Sequence, residues 1–169
     1  MAVTLKKFDS LGGYSVSNEV VITEDKDIQN VNTLQIKNNN FSDITKTNYI
    51  LKGTSSQILE LDNTAGKIIL AGETINFITV HIVGTKADVS AVYSVKLETT
   101  VSCDNSGNVS TLTTFTTVVR DDVPNGETWT IVPYDSGSAG EYSLNATVSG
   151  TTDSVKWVAA VEVLQASWA

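Results

Sequence analysis

TINFITVHIVG at residues 74–84, SAVYSVKLETTVSC at 90–103 and VSTLTTFTTVVR at 109–120 decide the fold. In the second stretch Ala91, Tyr93, Val95, Leu97, Thr99, Val101 and Cys103 fall on one face of an extended chain. Val92, Ser94, Lys96, Glu98, Thr100 and Ser102 fall on the other. Successive side chains of a strand point to opposite faces, so this alternation predicts an antiparallel strand with a core on one side and water on the other. Between the second and third stretches lies DNSGN, at 104–108. Its Asp and Asn oxygens suit a calcium loop, but the length and closing Glu of such a loop are missing. A hairpin turn with Gly107 at positive φ accounts for it.

Working outward, the C-terminal side repeats the theme. Glu127–Val132, Glu141–Ser149 and Val155–Leu164 are strand-length and separated by DDVPNG, PYDSGSAG and GTTD. Val155, Trp157, Ala159, Val161 and Val163 alternate as a strand, and their β-branched content argues against a helix. Residues 73–169 are therefore expected to form an all-β domain, an antiparallel β-sandwich or a jelly-roll-like one. On the N-terminal side, apolar clusters such as Val20-Val21-Ile22, Tyr49-Ile50-Leu51 and Ile68-Ile69-Leu70 are short. Turn chemistry separates them. Residues 19–72 are expected to be a short-strand segment stabilised by neighbouring chains. Residues 1–18, punctuated by Gly12 and Gly13, are expected to be an extended arm.

Composition excludes several classes of function. The net charge is −8, with a pI near 4.5. No basic stripe is present to neutralise phosphates, so nucleic acid is not an expected partner. The charged fraction of 18% is low, and Thr, Ser and Asn take its place on the wet faces. A single cysteine, Cys103, forbids an intrachain disulfide and is expected to be a buried apolar thiol. The first residues hold no apolar core of a signal peptide, and no apolar run reaches the length of a membrane helix. Synthesis in a cytoplasm and no insertion into a membrane are the expectation.

The search for chemistry is equally restrictive. His81 is the only histidine, and alternation puts it on a face with Ile75, Phe77, Thr79 and Val83, where a partly buried imidazole is expected. One histidine and one cysteine leave no zinc set, and no metal or other cofactor is expected. A two-carboxylate glycosidase would need Asp121 or Asp122 to converge with Glu127, Asp135 or Glu141. All of them lie in or beside turn-rich segments, so solvated or structural acids are expected. Trp129, Tyr134 and Tyr142, with Trp157 and Trp168, are the candidates for a sugar-stacking platform. For the strand tryptophans, burial in the core is the expected alternative.

Two stretches together carry a resemblance. One is VNTLQIKNNNFSDITKTNYILKG, Val31–Gly53. The other runs from TINFITVHIVG through TTVVRDDVPNGETWTIVPYDSGSAGEYS to SGTTDSVKWVAAVEVL. Both are similar to β-rich virion proteins of tailed bacteriophages, especially marine ones, found in tail fibres and surface appendages. The resemblance spans the chain from about Gly13 onward and brings no catalytic residue with it. It implies a non-enzymatic virion component, trimeric and displayed on the outside, as a fibre or capsid-decoration subunit. The alternative it leaves open is a receptor-binding tip that recognises host-surface glycan. Attachment to other virion proteins is expected through the arm, with Lys6, Lys7 and Phe8 as the contacts.

Overall fold

A computed structural model of the chain describes residues 14–16, 19–22, 34–38, 41–62, 66–135 and 139–167. Two compact units divide the chain, Met1–Asn32 and Thr33–Ala169. In the first, β1 (Tyr14–Val16) and β2 (Glu19–Ile22) form an antiparallel hairpin with Val16 opposite Glu19. The expected arm over 1–18 thus ends in a strand whose partner lies just beyond it. Lys6, Lys7 and Phe8 lie outside the described residues.

The second unit contains β3 (Leu34–Asn38), β4 (Phe41–Thr54), β5 (Gln57–Ile58), β6 (Glu60–Leu61), β7 (Ile68–Ile69), β8 (Thr74–Lys86), β9 (Val92–Cys103), β10 (Val109–Asp121), β11 (Thr128–Asp135), β12 (Glu141–Ser149) and β13 (Val155–Ser167). They make two antiparallel sheets. The larger has seven strands in the order β10-β9-β8-β13-β4-β3, with β6 on the flank of β4. The smaller has four, β11-β12-β5, with β7 beside β5 along β12. The fold is all-β, and the described residues include no helix.

The core lies between the sheets and follows from the alternation. β8 sends Ile78, Val80 and Ile82 inward, β9 sends Val95, Leu97 and Val101, and β13 sends Val155, Trp157, Ala159, Val161 and Val163. Trp129, Ile131, Tyr142, Leu144 and Ala146 come from the smaller sheet. Each large apolar side chain so buried contributes about 1.5–3 kcal/mol relative to exposure. At the β9–β10 hairpin Gly107 has a φ of 79°, and Asp104 Oδ1 accepts from the backbone N–H of Ser106 and of Asn108, both at 2.8 Å. The turn closes on its own carboxylate, as a hairpin rather than an ion loop.

Two expectations need correction. Residues 19–72 are not uniformly short-stranded, because β4 runs for 14 residues and pairs with β13 along eleven of its positions, Ile44 to Thr54. Nor does a boundary fall at 72/73, since Leu51, Leu59, Ile68 and Leu70 are buried in the same core as the later strands. The cause is partnership. The long strands of residues 73–169 supply the apolar surface that the weaker segments lack, so the cover comes from within the chain.

Candidate functional site

Of the aromatic residues expected to stack sugar, Trp168 lies outside the described residues, Trp157 is buried in the core, and Trp129, Tyr134 and Tyr142 do not form a platform. Trp129 is 3% exposed and Tyr142 fully buried, both facing the larger sheet. The Trp129 ring meets that of Trp157 edge-on at 6.0 Å, and its Nε1–H donates to Glu127 Oε2 at 3.0 Å. Desolvation, with the nearby Asp135 charge, pushes the Tyr142 phenol well above its ordinary range. Tyr134 alone remains half-buried at the surface, with Lys67 Nζ 5.7 Å above its ring. Large aromatics on alternating strands were claimed by the core, as the competing expectation had it.

The acids are spoken for one by one. Glu127 Oε1 receives Lys86 Nζ at 2.6 Å, and Asp153 reaches the same ammonium at 3.0 Å. Lys86 holds the Glu127 carboxyl below the usual carboxylate range. Glu141 pairs with Lys67 at 2.9 Å. Asp135 Oδ2 caps the Thr111 N–H at 2.8 Å. Asp122 pairs with Arg120, and Asp121 accepts from the Val123 N–H at 3.2 Å. Asp104 is held low by hydrogen bonds from Asn108, Ser106 and Gly107 in its own turn. Among the described residues no group of three metal-ligating side chains converges. Cys103 is buried, its Sγ 3.7 Å from the Leu70 carbonyl oxygen, and burial pushes the thiol up.

His81 shares a face with Ile75, Phe77 and Val83 as the alternation required, but that face is turned to solvent and the imidazole is exposed. The core takes the other side of β8. The solvent face of the larger sheet is the most distinctive surface of the unit. Register sets Ile44, Ala166 and Ile75 in one row, with Leu164 beside Phe77 in the next. Further along, Ile50 lies beside Ala160, and Val158 beside Val83. All seven of the larger apolar side chains in these rows are exposed, Phe77 by 45% and Leu164 by 44%. Because Ala160 is small, a hollow of about 230 Å³ opens above it, ringed by Asn48, Ile50, Thr79, His81 and Glu162.

Charges on this face pair with their neighbours, Lys46 with Glu162 and Lys96 with Glu98, each at 2.7 Å. One signal for this surface stood in the sequence. TINFITVHIVG is apolar on both faces, with Ile75, Phe77 and Val83 opposing Ile78, Val80 and Ile82. A strand wet on one side does not need both sets.

No protein-family model matches the chain, and no curated protein matches it significantly in sequence. Among solved structures, the chain is similar to a tailspike protein of an Acinetobacter baumannii bacteriophage, a capsular polysaccharide depolymerase. The identity is 19% and the TM-score 0.42, over 81% of this chain and 20% of that one. The chain therefore spans about a fifth of that tailspike's length.

Proposed function

We propose that the chain is a non-enzymatic structural subunit of a bacteriophage virion, a fibre or capsid-decoration protein that assembles with copies of itself on the particle surface. The observation that carries this reading is the employment of the acids. Each carboxylate that a two-acid hydrolase would recruit is instead engaged by a cation, a turn or a strand end. Such groups hold position in ion pairs, turns and strand ends, whereas a general acid needs a carboxyl raised toward neutrality in a desolvated cleft. The rest of the described unit is antiparallel sheet, its smaller part presenting Thr128, Thr130, Thr147 and Ser149 outward beside the exposed Val132 and Ile69. Lys6, Lys7 and Phe8 remain the proposed attachment to other virion proteins, and a symmetric homotrimer the proposed assembly. The glycan-recognising alternative keeps Tyr134 alone of its three aromatic groups.

Antibody labelling or image reconstruction of the native particle tests the location, and copies of the chain are expected on its surface. Deletion of residues 1–12 is expected to abolish binding to particles while leaving the melting temperature of the body unchanged. Purified protein is expected to release no reducing sugar from host polysaccharide. Release by the wild type that disappears in the Asp121→Asn/Asp122→Asn variant would establish an enzyme instead.

A further inference from the structure

We propose that Asn125 is a site of spontaneous covalent modification. Its side-chain amide is lost, aspartate and isoaspartate take its place, and the turn before β11 is lengthened. The chemistry belongs to the chain itself and does not depend on its assembly.

Two groups react, an asparagine amide and the backbone nitrogen of the next residue. The nitrogen attacks Asn125 Cγ, and the new C–N bond closes a five-membered succinimide. The side-chain nitrogen leaves as ammonia, taking the proton of the backbone amide. Water then opens the ring. Attack at the side-chain carbonyl gives aspartate. Attack at the main-chain carbonyl gives isoaspartate, whose main chain runs through Cβ and Cγ and is one carbon longer. A side chain on the following residue crowds the attack, so glycine is the most favourable neighbour. Asn125-Gly126 is the only Asn-Gly pair in the chain.

The fold leaves this pair free and holds back its competitors. The Glu127 N–H donates to the Pro124 carbonyl oxygen at 3.0 Å, so Asn125 and Gly126 are the two middle residues of a β-turn, with Gly126 at a φ of 89°. Both are exposed, and neither the Asn125 side chain nor the Gly126 N–H has a hydrogen-bond partner among the described residues. Nothing lies within 4 Å of where a Cβ on Gly126 would stand, so ring closure has room on that side. Asn105 is also exposed and precedes a small residue, but there the attacking nitrogen is engaged. The Ser106 N–H donates to Asp104 Oδ1 at 2.8 Å, and the Ser106 hydroxyl to Asn105 Oδ1 at 3.3 Å. Asn108 donates its amide to Asp104 Oδ2 at 2.7 Å and precedes the β-branched Val109. Asn48, Asn76 and Asn145 are held within paired strands.

The position of the turn gives the modification its effect. The Gly126 carbonyl oxygen lies so close to the turn before β13 that a Cβ on Gly150 would collide with it. An added main-chain carbon cannot be taken up on that side. It displaces Glu127, the next residue, whose carboxylate holds Lys86 Nζ at 2.6 Å and accepts from the Trp129 Nε1–H at 3.0 Å. The new carboxylate also joins Asp121, Asp122 and Glu127 in a chain already at net −8. Modification therefore loosens the end of the sandwich that the Lys86 pair closes.

The test is peptide mass spectrometry on the full chain after prolonged incubation in neutral and in alkaline buffer. Conversion of amide to acid is expected at Asn125 ahead of Asn105 and Asn108, and faster in the alkaline buffer, because the attacking nitrogen must shed its proton. Part of the product is expected to accept a methyl group from an isoaspartyl methyltransferase supplied with S-adenosylmethionine. The converted protein is expected to melt lower by about 2–4 °C or more. Asn125→Gln is expected to lose the conversion and keep its melting temperature through the incubation. Freshly made Asn125→Asp, which carries the charge without the added carbon, is expected to melt close to wild type. An Asn125 amide that survives in the folded chain while the urea-unfolded chain loses it overturns the proposal, and so does conversion of Asn105 at the same pace. A product that accepts no methyl group, or an Asn125→Asp variant that melts as low as the converted protein, overturns the lengthened turn.

Discussion

Lys86 is the last residue of β8 and points inward, into the end of the sandwich, with its side chain 10% exposed. Its ammonium bridges Glu127, from the segment before β11, and Asp153, from the segment before β13. The pairing raises the Lys86 pKa and lowers that of Glu127, the hydrogen bond between them being the largest cause of each. The two shifts act at opposite ends of the pH range. A lowered Glu127 pKa stabilises the fold above the carboxyl's unfolded value, and that contribution is lost as pH falls through the folded one. A raised Lys86 pKa stabilises the fold below the amine's unfolded value, and that contribution is lost as pH rises through the folded one. Lys86→Met is therefore expected to melt lower than wild type at pH 7, because it strands Glu127 without its cation. The gap is expected to narrow as pH falls through the lowered Glu127 pKa, and thermal melts across pH check this. None of this triad was legible in the sequence. Lys86 and Glu127 are 41 residues apart, and only the turn geometry at one end of the sandwich joins them.

At the scale of strands, β13 threads between β4 and β8 with Trp157 facing inward, and both of its cross-strand partners are glycines, Gly53 and Gly84. A Cβ on Gly84 would meet the Trp157 ring at 2.3 Å, so the absent side chain is what seats the indole. The indole N–H then donates to the Ser55 carbonyl oxygen at 3.0 Å. Gly84→Ala is expected to destabilise by about 1–3 kcal/mol through overpacking, measurable by urea denaturation with a loss of the Trp157 near-ultraviolet signal. The strands themselves were legible in proportion to how one-sided their surroundings are. β9 alternates cleanly because one side is core and the other water. β4 did not read as a 14-residue strand, because its inward positions include Thr47 and Gly53 and its outward ones Ile44 and Ile50. β10 is exposed along nearly its whole length. Leu112, Phe115, Val118 and Val119 look like core, yet all are at least half exposed, since β10 is the edge strand and only Val109 is buried. Register shifts at Leu112 and Val119 mark bulges there. Bulges are a usual way to turn an edge strand away from unwanted pairing.

For the molecule as a whole, the sequence announced an all-β chain with an acidic balance, and both hold. What it withheld was coverage. Whether an apolar stripe faces core, water or a neighbouring molecule depends on which sheet lies over it, and that is settled by partners far away in the chain. The strand tryptophans lie in the core, as one of the two expectations had it, whereas the apolar outer rows were overlooked. The place of β13 has a further consequence, in time rather than space. This strand is made after every strand it joins, yet it occupies the interior of the larger sheet, paired on one side with β8 and on the other with β4. On a ribosome, the two halves of that sheet must wait with open hydrogen-bonding edges until Val155–Ser167 has emerged. Such pairings between distant segments form slowly, and open edges invite the wrong partners meanwhile. A nascent chain arrested before Val155 is expected to be digested rapidly by protease. One released after Ser167 is expected to gain resistance in a single late step, so that the rate of completion, and not of initiation, governs how much protein escapes aggregation.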